Sequence, residues 1–286
     1  MASKPKGKDT PKDKDKARRP RKSDKGDTYG TRGSTSSSSL KFIIMNTGGK
    51  NTGEKPTERR KQTIFDVISK SGASLVLLQE FGWTSIRSRA WNEFEWSDNL
   101  QYKGHKDASI IFDINEVVVM QYSQRLLEST LVELIRVGKI QQGFTPIPRM
   151  CLLNVKTKGV PIVEFICVSW HGRHNKAKLE DLKAEFKYLL EYIIKLSEKE
   201  SLPFVIAGDF NVKIKDIEKL IPSSLALHRY TPTKRRDEES VIDFYITSKS
   251  LSMSDIKTLD LKTETKVDGV LSLFDHDPVV ASLTTA

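Results

Sequence analysis

The chain is 286 residues long, 37% hydrophobic and 29% charged, which allows one large domain or two small ones. Lys and Arg outnumber Asp and Glu by 47 to 37, a formal +10, so polyanions are the natural partners to consider. No apolar run approaches the ~18 residues that a membrane span needs, and the start lacks the apolar core of a signal peptide, so the expected location is intracellular, nuclear or cytoplasmic.

The first 39 residues carry 12 Lys or Arg against 5 Asp and contain no Leu, Ile, Val, Phe or Trp. Such a stretch buries too little apolar surface to offset its ordering entropy and reads as a disordered basic tail. It holds +7 of the formal charge and leaves +3 for the 247 residues that follow. The run from Lys16 to Lys22 fits contact with polyanions or nuclear import, and a solubilising arm equally well.

From Leu40 onward, short apolar runs alternate with amphipathic stretches. Leu40 to Met45 reads as a strand that ends in the loop Asn46-Thr47-Gly48-Gly49. A helix is expected from about Thr57 to Lys70, with Ile64, Val67 and Ile68 on one face, and then a strand from Leu75 to Leu78. Ala108 to Phe112 and Val117 to Tyr122 read as a hairpin around Asp113-Ile114-Asn115. Met150 to Val155 and Pro161 to Ser169 read as another, joined by Lys156 to Gly159. The longest helix is expected from about Lys176 to Glu198. In it Leu179, Leu182, Phe186, Leu189, Leu190 and Ile193 recur at three- and four-residue spacing, and Asn175 suits its N-cap. Pro203 to Ala207 is a short buried strand, and Val241 to Thr247 and Pro278 to Leu283 are late ones. Cys151 and Cys167 fall inside apolar runs and read as buried free thiols of a reducing compartment. Many short strands with two principal helices predict two packed sheets with helices outside, in one domain from about residue 40 to the end.

The polar residues that close these runs carry the chemistry. Gly208-Asp209-Phe210-Asn211 leaves a buried strand with a carboxylate and an amide two residues apart, a pair suited to holding and deprotonating a water. Glu80 follows the run Leu75 to Gln79 directly, and is either a solvated loop residue or a pointed ligand. Asn46 takes the same position after the first strand, where ordinary turn chemistry also accounts for it. Oxygen ligands such as Glu80 and Asp275 suit Mg²⁺, which commonly takes one or two protein carboxylates beside water and phosphate. His171 ends the run Phe165 to Trp170, and His276 stands between Asp275 and Asp277; each is a catalyst or a satisfied surface residue. Asp243 lies between Ile242 and Phe244, where a bare carboxylate would be very costly. Pairing with His276 would satisfy it, raise the imidazole pKa and fix the ring.

In this order, Asn46, Gln79-Glu80, His171, Gly208-Asp209-Phe210-Asn211, Ile242-Asp243-Phe244 and Asp275-His276-Asp277-Pro278-Val279 resemble the endonuclease/exonuclease/phosphatase superfamily, over Leu40 to about Leu283. The resemblance implies an α/β (α+β) fold, a four-layer α/β/β/α sandwich of two packed mixed sheets flanked by helices. It implies a Mg²⁺-dependent (or Mn²⁺-dependent) hydrolase of phosphate esters. Glu80 would hold the ion with Asn46 and Asp275, and Asp209 would orient and deprotonate the attacking water. Asn211 would help place that water and the phosphate. His276, oriented by Asp243, would donate to a phosphoryl oxygen. His171 would be a second phosphate contact or a general acid, and Arg149 either a further phosphate clamp or a surface arginine. Phe274 stands where the family usually has serine, and Met45 where tryptophan is common.

The basic tail favours DNA or RNA as substrate, cut by in-line attack of an activated water. The alternative is a phosphatase or phospholipase of the same group acting on a phosphoinositide, a sphingolipid or another small phosphate ester. Specificity is expected from loops such as Phe81 to His105 and Tyr230 to Glu239. In the first, Trp83, Trp91 and Trp96 are base-stacking or packing residues.

Overall fold

The computed structural model of the chain describes residues 39–48, 54–81, 97–105, 107–173, 177–228, 241–270 and 273–285. The readings made above for residues 1–38, Gly49, Trp83, Trp91, Trp96, Asn175 and residues 230–239 lie outside these.

The strands are β1 (Leu40–Asn46), β2 (Leu75–Gln79), β3 (Leu100–Gly104), β4 (Ala108–Asp113), β5 (Val117–Gln121), β6 (Met150–Thr157), β7 (Glu164–His171), β8 (Phe204–Asp209), β9 (Leu225–His228), β10 (Asp243–Ser248), β11 (Leu251–Thr258) and β12 (Val279–Thr285). The helices are α1 (Glu54–Ser71), α2 (Gln124–Arg136), α3 (Leu179–Glu200) and the one-turn α4 (Ile214–Ile217) and α5 (Leu261–Glu264). They form two six-stranded sheets, ordered β11-β12-β1-β2-β4-β3 and β5-β6-β7-β8-β10-β9. Each sheet is mixed: β1–β2 and β7–β8 run parallel beside antiparallel neighbours.

Strand periodicity builds the layers, because successive side chains face opposite sides of a sheet. In β1, Phe42 and Ile44 face the space between the sheets, while Ile43 and Met45 pack with Ile64, Val67 and Ile68 of α1. In β7, Phe165 and Cys167 point into the same inter-sheet space, while Ile166, Val168 and Trp170 pack with Phe186, Leu189 and Ile193 of α3. Leu134 of α2 joins that outer layer, where Ser123 caps the helix by accepting from the Leu126 N–H. The arrangement is the expected α/β/β/α sandwich. Each fully buried aliphatic or aromatic side chain contributes roughly 1.5–3 kcal/mol over exposure, so these layers carry the stability. Cys151 and Cys167 are both free and buried in the inter-sheet layer. Burial pushes the Cys151 thiol up to about 12 and Cys167 well above its ordinary value.

Three expectations are corrected. β4 and β5 are not a hairpin: β4 pairs with β2 and β3 in the first sheet, and β5 pairs with β6 in the second. The turn between them carries the chain from one sheet to the other, which adjacency in sequence does not reveal. A third long helix, α2, stands beside the two expected. α3 begins at Leu179 after Lys178, which gives no side-chain cap, and Leu179 itself is exposed. Its apolar stripe therefore starts at Leu182, one turn later than the spacing predicts.

Candidate active site

The register of the second sheet sets one half of the site. His171 ends β7, Asp209 ends β8 and Asp243 begins β10, and the pairings His171↔Asp209 and Asp243↔Asp209 align all three across neighbouring strands. Residues directly opposite in adjacent strands share a face, so the three groups form one row. Gly208, just before Asp209, takes φ 149, and a β-carbon there would collide with the Trp170 carbonyl. Only glycine lets β7 and β8 close beneath the row.

Asp209 is tied on both oxygens. Oδ1 accepts the Asn211 backbone N–H at 2.8 Å, and Oδ2 accepts from Asn46 Nδ2 at 2.8 Å. Asn211 turns out of the strand at φ 53, a conformation its short amide tolerates, and its Nδ2 donates to the Gly172 carbonyl at 3.1 Å. Glu80 also takes φ 53. Two strained non-glycine residues at one rim are the kind of cost that folds keep at functional sites.

The first sheet supplies the other half. Asn46 ends β1 opposite Gln79, and Glu80 follows at once. Asn46 Oδ1 accepts the Gly48 N–H at 2.8 Å, while its Nδ2 reaches Glu80 Oε1 at 3.3 Å as well as Asp209 Oδ2. One amide therefore touches a carboxylate from each sheet. Gln79, beneath, donates to Ser169 Oγ at 3.0 Å, and Ser169 donates to the Leu78 carbonyl at 3.1 Å. These buried bonds stitch the sheets together under the rim.

The histidines complete the rim. His171 Nε2 lies 3.3 Å from Glu80 Oε1. His276, on the segment entering β12, has Nδ1 2.8 Å from Asp243 Oδ2, which turns Nε2 toward Asp209 Oδ2 at 3.9 Å. Burial disfavours the charged imidazole of His276. Asp243, by charge and hydrogen bond, together with Asp209 and Glu80, outweighs this and pushes its pKa up to about 9. At neutral pH it is a charged donor aimed into the rim. Burial, and then the neighbouring Asp243 carboxylate, raise the pKa of Asp209, against the pull of His276, His171 and the Asn211 N–H. A raised carboxylate is better matched to taking a proton near neutrality.

Donor atoms of Glu80, His171 and Asp209 lie within 4.8 Å of one another, as do those of Asp209, Asp243 and His276. The Glu80 carboxylate and the Asn46 amide oxygen, two hard oxygen donors that flank Gly48 together, fit a small divalent cation such as Mg²⁺ or Mn²⁺. Asp275 is exposed and stands outside both groups; its charge, like that of Glu80, acts on Arg60. Arg149 ends the 3-10 turn before β6 and sits 3.8 Å from Glu185, and it feels the charge of Asp209. Met45 and Phe274 are buried in the layer under α1, so these two departures from the family pattern fill core.

Arg60 of α1 was not foreseen. It is fully buried, and its Nε and Nη2 donate to the Leu273 carbonyl at 3.3 and 3.1 Å, just ahead of Asp275 and His276. The sequence did hold a signal. Arg60 lies four, seven and eight residues before Ile64, Val67 and Ile68, hence on the buried stripe of α1.

No protein-family profile matches the sequence, and no curated protein is similar to it. Solved structures do match. D. rerio TDP2 complexed with a single-strand DNA product aligns at TM-score 0.60 and 13% identity, covering 87% of this chain and 100% of that one. An endonuclease/exonuclease/phosphatase family protein from Bacteroides thetaiotaomicron aligns at 0.59 and 15%, covering 86% and 94%. The mannosyl-6-phosphatase of the same species aligns at 0.59 and 16%, covering 86% and 100%. The chain thus has the endonuclease/exonuclease/phosphatase fold along its described length.

Proposed function

We propose that this protein is a divalent-metal-dependent hydrolase of phosphodiesters, most concretely a nuclease acting on DNA or RNA. One observation carries the reading: Asn46 holds Glu80 of one sheet and Asp209 of the other at a single point, 3.3 and 2.8 Å away, with His276 Nε2 3.9 Å from the same Asp209 oxygen. Glu80 and Asn46 would hold Mg²⁺ or Mn²⁺, with Asp275 as a further candidate ligand. The ion supplies a positive charge that polarises the phosphoryl group. Asp209 accepts the proton of the attacking water, with Asn211 and Asn46 fixing which oxygen faces it. His276, held by Asp243, donates from Nε2 to a phosphoryl oxygen as negative charge builds there, the kind of stabilisation that dominates in such sites. His171 faces the same space and serves as a second phosphate contact or as the acid for the leaving oxygen. The basic tail adds sequence-independent affinity for the polyanion, which weakens as salt rises.

A second reading follows from the mannosyl-6-phosphatase, whose fold matches as well as that of the DNA-bound structure. There the same residues would act on a small phosphate ester. Plasmid nicking and oligonucleotide cleavage, with Mg²⁺, with chelator and with Asp209→Ala, test the first. Cutting that needs both metal and Asp209 supports it. Phosphate release from sugar or inositol phosphates, without any cutting, replaces it with the second.

A further inference from the structure

Beside the rim lies a cavity of about 260 Å³ lined by Gln141, Phe144, Arg173, Asp181, Glu185 and Tyr188, among others. It is below the roughly 300–1,000 Å³ of pockets that enclose a whole small-molecule ligand, so it suits a single ring system. Arg173 is two residues past His171, and the charge of His171 is felt at Glu185. Gly172, between His171 and Arg173, donates its N–H to the Asp209 carbonyl at 2.7 Å and accepts from Asn211 Nδ2 at 3.1 Å, which anchors Arg173 next to the rim.

The cavity's Arg173 and Glu185 belong to a charge cluster that Arg149 joins from behind the cavity lining. Glu185, on the inner face of α3, is 8% exposed and is approached by Arg173 Nε at 3.6 Å and Arg149 Nη1 at 3.8 Å. Both distances exceed a hydrogen bond. Arg149 Nη1 is buried and has no hydrogen-bond acceptor among the described residues. Burial raises the pKa of Glu185, with Arg149 and Arg173 opposing it. A buried carboxylate between two loosely seated guanidiniums is a poor way to stabilise a fold. It is a good way to keep donors and an acceptor ready for a ligand that supplies both. An aromatic wall stands opposite: Tyr188 meets Phe144 edge-on at 5.5 Å and is itself partly exposed.

We propose that this cavity is the subsite for the nucleotide next to the scissile phosphate, with Arg149 and Arg173 on its phosphate, Tyr188 against its base, and Glu185 and Gln141 on the base edge. This deepens the nuclease reading and rests on it. A carboxylate accepts from exocyclic amines and an amide pairs with donor–acceptor edges, so amino-bearing bases are favoured over thymine. The bound base also fixes the register of the strand, which places one particular phosphate at Asp209.

The test is calorimetric binding to the full wild-type chain in chelator, comparing a dinucleotide with the same molecule lacking one base. The expected result is about tenfold tighter binding of the intact dinucleotide, since base–aromatic stacking alone contributes on that scale. Tyr188→Ala, at a partly exposed position, is expected to erase the difference, and Arg173→Ala to weaken both ligands alike; Glu185→Gln is expected to level the preference between cytosine and thymine. Equal binding of the two ligands, or a difference that survives Tyr188→Ala, overturns the subsite. Hydrolysis of bis(p-nitrophenyl) phosphate by the wild type separates the two readings. If that diester is cleaved but no base is preferred, the subsite fails and the hydrolase stands. If a base is preferred but that diester is not cleaved, the hydrolase reading fails and takes the subsite with it, leaving only a cavity that binds nucleotides.

Discussion

The row from the second sheet, His171, Asp209 and Asp243, is 5%, 2% and 1% exposed, whereas the side chain of Glu80 from the first sheet is 32% exposed. Three strands in continuous register fix the row, and Asp209 takes hydrogen bonds on both oxygens. Glu80 instead stands on a single turn at φ 53, and Asp275 lies at the surface. One half of the site is thus held rigidly in low dielectric, where proton transfer and charge donation gain most. The other half keeps access to water, as an ion that retains part of its hydration requires.

If that division is right, the two halves fail differently. The largest effect is expected from Asp209→Asn: kcat falls by roughly 10²–10⁴-fold and excess metal does not restore it. Because Asp209 accepts on both oxygens, an amide there sets a donor against Asn46 Nδ2 or loses the Asn211 N–H, so the same variant is also expected to melt lower than wild type. An unchanged melting point with normal activity would break the comparison. Glu80→Gln comes next. It raises the Mg²⁺ concentration for half-maximal activity by about 100-fold, since even outer partners of a metal ligand cost roughly 10–100-fold, and saturating metal restores part of the rate.

Arg60→Lys is expected to cost about tenfold in activation by metal, read as a shifted Mg²⁺ titration with secondary structure intact. A lysine keeps the charge near Glu80 and Asp275 but cannot fork onto the Leu273 carbonyl as the guanidinium does.

An effect of another kind, outside that ranking, is a pH dependence of stability carried by His276. Its folded pKa, about 9, lies above the ordinary 6.5, so its contribution is complete below about pH 6.5 and disappears as pH rises to about 9. Between those values wild type loses up to about 1.4 kcal/mol per pH unit relative to His276→Gln, measured by denaturant unfolding in chelator. Parallel curves for the two proteins would show that Asp243 does not hold a charged imidazole.

Much of this was legible in the sequence because each candidate residue closes an apolar run. A strand end fixes where a side chain emerges, so Asn46, Glu80, His171 and Asp209 were readable as one rim. The Asp243–His276 pairing was readable from the cost of a bare carboxylate between Ile242 and Phe244. Sheet membership was not legible: β4 and β5 are separated by a three-residue turn, and only tertiary packing sends them to different sheets. The missed α2 does carry a stripe in Leu126, Leu127, Leu131 and Leu134 behind the Ser123 cap. Arg60 was hidden for another reason. It sits in the run Glu58-Arg59-Arg60-Lys61, where solvation is the ordinary expectation, and only helical phase assigns it to the interior.

The two cysteines lie in the seam where the sheets meet, so the native protein should ignore alkylating reagents at neutral pH: the thiols are neither ionised nor reachable. Any opening of that seam unmasks both together. Their modification rate is therefore a built-in gauge of how often the sandwich parts, free of interference from thiols elsewhere, since the chain has only these two.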